Sequence, residues 1–115
     1  MTILEAIINY LDEKTNYEVF SEIPKDAPEA FFIVDKTGSS FFNYVSTDTI
    51  IIQSYGRTKL EASEMNDLIK KIMLEYPVDN MISSVNLNSD YSFPDLAEKR
   101  PRFQAVFDLT NYYFS

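Results

Sequence analysis

Apolar residues recur along this chain with two helical rhythms, separated by segments that alternate or run apolar in short blocks. Ile3, Leu4, Ile7, Ile8 and Leu11 form the i, i+3, i+4, i+7, i+8 stripe of a helix laid on a core. Thr2 and Glu5 have the spacing of a capping box, which satisfies two backbone donors at the helix start, and the helix is expected to end near Glu13 or Lys14. Met65, Leu68, Ile69, Ile72, Met73 and Tyr76 make a second stripe, opened by the box Thr58/Glu61 and stopped by Pro77. The Met and aromatic members of that stripe read as core filling rather than a cofactor-binding face.

Extended segments lie between and after the helices. Tyr17 to Ser21 is a short β-rich piece suited to a sheet edge, and Pro24 and Pro28 punctuate a polar loop. Phe31, Phe32, Ile33 and Val34 form a continuous apolar run, which predicts a central strand covered on both faces. Thr37, Gly38, Ser39 and Ser40 supply the expected turn, and Tyr44 to Tyr55 returns as a long strand. Ser83 to Phe114 reads as one long β-hairpin around a proline-marked loop. In its second run, Phe103, Ala105, Phe107, Leu109 and Tyr113 fall on one side of a period of two, with Arg102, Gln104, Asp108 and Thr110 on the other. At about 3.3 Å per residue that strand is roughly 40 Å long, whereas a globule of this size has a radius of gyration near 13 Å. The hairpin is therefore expected to bend or to project, and a projecting hairpin offers backbone groups to a neighbouring subunit. The order helix, three strands, helix, two strands argues an α+β domain: two amphipathic helices packed on a mostly antiparallel sheet of about five strands, with a long C-terminal β-hairpin.

Composition sets the scale. With 115 residues, 45% hydrophobic and 15% aromatic, the chain builds one core, so residues 1–115 read as a single domain. A formal charge of −8 opposes the phosphate backbone and anionic membrane surfaces, arguing against direct nucleic-acid or membrane binding. No run approaches the roughly 20 apolar residues of a membrane span, and the start of the chain lacks the features of an export signal.

Chemistry-bearing patterns are sparse. The chain contains no Cys and no His, which removes disulfides, thiolate metal sites and the commonest general base. Glu22, Asp26, Glu29 and Asp35 around the proline loop read as solvated charge. Asn86, Asn88, Asp90 and Asp95 offer oxygen ligands without the spacing, turn glycine or closing glutamate of a calcium loop. Ser39, Ser40, Ser83 and Ser84 have no histidine to activate them, and two glycines, Gly38 and Gly56, make no phosphate cradle. No catalytic residue, metal ligand or cofactor is expected.

Surfaces are the better candidates. Lys99, Arg100 and Arg102 form a basic knot around Pro101 at the base of the long hairpin, next to Phe103; they either meet an acidic neighbour or keep a strand start soluble. Phe41 and Phe42, at a hairpin tip, either meet a partner or fold back over the domain. The loop Tyr91 to Pro101 is long for a hairpin and reads as a binding or mobile loop.

These segments together resemble the small tail terminator, or tail completion, proteins of long-tailed bacteriophages and related prophages, of the type called minor capsid protein in phages of low-GC Gram-positive bacteria. The resemblance is carried by the N-terminal amphipathic helix, by EIPKDAPEAFFIVDKTG from Glu22 to Gly38, by TIIIQSYGRTKLEASEMNDLI from Thr49 to Ile69, and by VNLNSDYSFPD followed by RPRFQAVFDLTNYY in the final hairpin. It covers almost the whole chain and rests on order and texture, since none of these is a catalytic signature. It implies a non-enzymatic, ring-forming α+β protein, generally hexameric, made in the host bacterial cytoplasm, that caps the tail tube at the tail–head junction and offers a surface to the head-side connector. Within a ring, Lys99, Arg100, Arg102 and Phe103 are expected at the subunit boundary, and Gly38, Ser39, Ser40, Phe41 and Phe42 at the tube or connector. Alternatives of other kinds are a head–tail joining protein, a small acidic immunity or inhibitor protein, and a small metal-dependent enzyme using carboxylates.

Overall fold

A computed structural model describes residues 2–78 and 82–112. The chain runs α1 (Ile3–Lys14), β1 (Glu18–Phe20), β2 (Phe31–Phe42), β3 (Val45–Tyr55), α2 (Lys59–Leu74), β4 (Ser84–Ser92) and β5 (Arg102–Tyr112). The five strands form one sheet in the order β1-β2-β3-β5-β4, antiparallel except for the β1/β2 pair, so the fold is α+β.

Both helices begin where the sequence places them. Thr2 Oγ1 accepts from the Glu5 amide at 3.1 Å, and the Glu5 carboxylate accepts from the Thr2 amide at 3.1 Å, which completes the box. At α2 only half of it forms. Thr58 Oγ1 accepts from the Glu61 amide, but the Glu61 carboxylate turns to Arg57, taking its amide at 2.7 Å and its guanidinium at 3.1 Å. Tyr76 lies beyond the helix, where its ring meets Tyr10 edge-on at 4.7 Å; the Tyr10 hydroxyl donates to the Ile72 carbonyl at 2.8 Å and ties the two helices together. Leu68 is 38% exposed and is the stripe member that leaves the core.

The main core forms between the helices and one face of the sheet. Ile7 and Leu11 of α1 and Met65, Ile69 and Met73 of α2 pack on Phe32, Val34, Ile50, Ile52, Ala105, Phe107 and Leu109. On the opposite face Phe31, Ile33 and Tyr55 are buried against Phe20 of β1 and Ala27 of the proline loop. The run Phe31 to Val34 is thus covered on both sides, as its unbroken apolarity predicts. Beyond Val34 the burial ends, and Asp35 to Phe42 is exposed throughout. β1 pairs only with Phe31 to Ile33, so the outer half of β2 is a sheet edge paired with the start of β3, which β5 flanks on its other side as far as Val45/Tyr112; this end of the sheet is called the arm.

Three expectations are corrected. Thr37 to Ser40 is strand, not turn: Gly38 sits at a register shift after Lys36 and its φ is not positive, whereas the chain reverses at Asn43 and Tyr44, with φ of 51° and 63°. A two-residue reversal with both residues left-handed matches the twist of the strands it joins. The final hairpin exists as β4 and β5 but does not project by itself. β5 lies inside the sheet, paired along its length with β3 from Val45/Tyr112 to Tyr55/Arg102, and it is β4 that forms the outer edge. The strand's length is accommodated because the whole body is elongated, 44 × 25 × 24 Å with a radius of gyration of 14.2 Å. Gln104, assigned to the wet side, is buried in a polar ladder, accepting from Gln53 at 2.9 Å and donating to the Tyr91 hydroxyl at 2.6 Å. Tyr113 and Phe114 lie outside the described residues.

Candidate interaction surfaces at the two ends of the sheet

Pairing register puts Phe31, Tyr55, Arg102 and Ser92 at one end of the strands and Phe42, Val45 and Ser84 at the other. The first end, the base, carries the loop between β4 and β5. This loop is built rather than slack. Asp95 and Arg100 exchange backbone hydrogen bonds at 3.0 and 3.1 Å. The Asp95 carboxylate accepts from the Glu98 amide at 3.1 Å and the Tyr55 hydroxyl at 3.0 Å. The Glu98 amide foremost, helped by Tyr55 and Arg102 against the opposing effect of burial, holds the Asp95 carboxyl below its ordinary range. Burial pushes the Tyr55 hydroxyl the other way, upward.

Both arginines of the basic knot are engaged within the chain. Arg102 donates to the Phe93 carbonyl at 2.7 Å and the Tyr55 hydroxyl at 2.9 Å, lies 3.6 Å from the Asp95 carboxylate, and stacks over Phe93 at 4.3 Å. Arg100 reaches back to the proline loop, donating to the Pro28 and Glu29 carbonyls, with its guanidinium 5.1 Å from the Phe31 ring centroid. Lys99 is different: it is exposed, has a left-handed backbone with φ of 54°, and makes no ion pair among the described residues. Left-handed backbone is uncommon for a residue other than Gly or Asn.

Beside this knot is a cleft of about 410 Å³, walled by Pro94, Leu96, Pro101 and Phe103 and rimmed by Lys59 and Lys99. A second hollow of about 400 Å³ lies across the Lys99–Pro101 segment, against Pro28, Glu29 and Arg57. Arg57 closes the second one, pairing with Glu29 at 2.8 Å and Glu61 at 3.1 Å. The four residues expected at a subunit boundary, Lys99, Arg100, Arg102 and Phe103, therefore do share one surface. Sequence reasoning missed Tyr55, Phe93 and Asp95, which anchor it, and Lys59 and Leu96, which complete the cleft. The signal available in the sequence was Leu96, a large apolar residue in a loop of Pro and charged residues, and the structure leaves it 84% exposed.

The other end is the arm. Phe42, opposite Val45, and Phe41, opposite Ser46, occupy its two faces, and Phe41, Phe42 and Tyr44 are 61%, 76% and 60% exposed. Gly38 and Ser40 share the Phe42 face, with Ser39 on the other. From Thr37 to Thr47 there is no charged residue, although the chain as a whole is strongly acidic. Just inside the arm, Asp48 is buried against Lys36 at 3.4 Å.

The remaining sequence candidates do not converge. Asn88 donates to Asp108 at 3.0 Å, and Asp90 accepts from Asn66 at 3.1 Å and Lys70 at 3.2 Å, while Asp95 belongs to the base loop. Burial pulls the Lys70 ammonium down, but its bonds to Asp90 and Asp67 outweigh that and leave it raised. Among the described residues no three His, Cys, Asp or Glu side chains come together as a metal site, and no helix is long and apolar enough to cross a membrane. No family model and no curated protein matches the chain.

Proposed function

We propose that the chain is a non-enzymatic virion structural protein of a long-tailed bacteriophage or prophage: a tail terminator that closes into a ring, hexameric as in the family it resembles, on the end of the tail tube and there receives the head-side connector. What carries this reading is one geometric observation. A single rigid sheet bears two unlike surfaces at opposite ends, a basic-rimmed apolar cleft and an uncharged aromatic arm. A closed ring requires each subunit to present two different, mutually fitting surfaces. Lys99 and Phe103 lie on the first, on a scaffold that Arg100 and Arg102 hold in shape. Gly38, Ser39, Ser40, Phe41 and Phe42 form the second, at the opposite end of the sheet, where the next component of the assembly would meet it.

The virion role is tested by deleting the coding sequence from a lysogen that carries it and inspecting the induced lysate. Filled heads and unjoined tails of uncontrolled length are the expected result, restored to whole particles by the gene in trans. Normal particle yield and tail length without it would reject the role.

A further inference from the structure

We propose that the base cleft is a docking site for an extended segment of another protein, one that inserts a bulky apolar side chain between Leu96 and Phe103 and sets one or two carboxylates against Lys59 and Lys99. This goes beyond the virion role and does not rest on it. The walls select the anchor. Pro94, Leu96, Pro101 and Phe103 present hydrocarbon to the cleft, and Leu96 is 84% exposed, so this apolar wall faces water in the isolated chain. A volume of about 410 Å³ lies at the low end of ligand pockets and suits one or two side chains rather than a cofactor. Covering such exposed apolar surface is what gives a small docking contact its energy.

The rim selects the charge. Among the cations at the base, Arg57 is paired with Glu29 and Glu61, Arg102 with Asp95, and Arg100 is engaged with the Pro28 and Glu29 carbonyls. Asp95, which also lines the cleft, is turned to Arg102, the Tyr55 hydroxyl and the Glu98 amide. Lys59 and Lys99 remain. Both are exposed, and neither makes an ion pair among the described residues. Two unpaired ammonium groups beside an apolar hollow favour a ligand that carries an anionic group next to an apolar one. The chain's net charge of −8 opposes a strongly acidic partner. That limits the segment to one or two carboxylates and argues against nucleic acid, whose phosphates repeat at every residue.

The site is also preformed. The backbone pair between Asp95 and Arg100 fixes the loop at both ends, so little ordering is required when a ligand enters. Within that loop Lys99 holds a left-handed φ of 54°, a conformation that Gly adopts without strain and that costs a lysine backbone energy. Strain kept at an exposed residue with no ion pair among the described residues points outward, to a ligand.

A displayed library of random peptides, panned in parallel against the chain and against its Lys59→Glu/Lys99→Glu variant, tests this. Both lysines are exposed, and Glu at the first residue of α2 favours the helix, so the variant keeps its fold. The chain is expected to enrich peptides that join a bulky apolar residue to one or two Asp or Glu, and the variant is expected not to. No enrichment over the variant, or a motif without carboxylates, overturns the proposal. The enriched peptide, resynthesised, is expected to shift the amide resonances of Leu96, Lys99 and Phe103 saturably; shifts confined to another surface overturn it. Lys99→Gly separates binding from folding. It is expected to weaken the peptide several-fold without lowering the melting temperature, and unchanged affinity contradicts the role of the ammonium group. A short oligothymidylate that shifts the same amides at lower concentration makes nucleic acid the occupant and overturns the proposal. So does a motif found on this chain's own surface together with oligomers in sedimentation, which makes the occupant a second copy.

Discussion

Arg102 decides the shape of the base. It is 14% exposed, faces an Asp95 carboxylate that is 12% exposed, and holds the Phe93 carbonyl and the Tyr55 hydroxyl in the same grip. Removing one member of such a set leaves the others buried without partners. Arg102→Ala is therefore expected to cost about 2–3 kcal/mol in chemical denaturation, while Lys99→Ala, with no partner to strand, stays within about 0.5 kcal/mol. Equal effects would place Arg102 outside the folding core. For the same reason, charge reversal at Arg100 or Arg102 tests folding before it tests assembly, and Lys59 and Lys99 are the residues to reverse when binding is the question. Asp95 adds a pH dependence. Its folded value lies below the ordinary 3.8, so its contribution is complete above that pH and drains away as pH falls through the folded value. Protection of the Glu98 amide against hydrogen exchange is expected to fall in that acid window before that of the central β5 amides, and Asp95→Asn is expected to abolish the difference; simultaneous loss across the sheet would contradict it.

At the scale of elements, the two glycines separate position from identity. A Cβ on Gly56 would come within 2.5 Å of the Ala62 amide nitrogen and 2.9 Å of the Thr58 carbonyl, because β3 passes directly into the first turn of α2. Gly56→Ala is expected to cost about 1–3 kcal/mol by overpacking. Gly38 has open space around its Cβ position and no positive φ, so Gly38→Ala is expected to leave the melting temperature nearly unchanged. The opposite ranking in thermal melts would mean the arm is the strained element. These glycines also mark what the sequence could and could not convey. Both helices were legible, since Ile7, Leu11, Met65 and Ile69 recur at the helical period and Thr2 and Thr58 cap in the expected way. The turn was misplaced because Gly38 is a common signal for a reversal, whereas the reversal is made by Asn43 and Tyr44 in left-handed backbone, a choice fixed by the pairing of β2 with β3. The central position of β5 was invisible for a related reason: a dry face at Ala105, Phe107 and Leu109 reports which side is buried, not which strand lies alongside. At the base, Lys99, Arg100, Arg102 and Phe103 were legible as a cluster. Their division into anchors and free rim was not, because Tyr55 and Phe31 come from strands far away in sequence.

Across the whole molecule, length and charge act together. The sheet gives a stiff body 44 Å long, and its two ends differ in kind: cations and an apolar hollow at one, uncharged aromatics at the other. A net charge of −8 opposes the close approach of copies, which fits the proposal of a subunit that assembles through weak contacts repeated around a closed path. Electron microscopy of the purified chain at rising concentration, alone and with tail tube, puts this most directly. The account predicts a closed annulus of uniform size. Subunits that stay single on every tube end would contradict it.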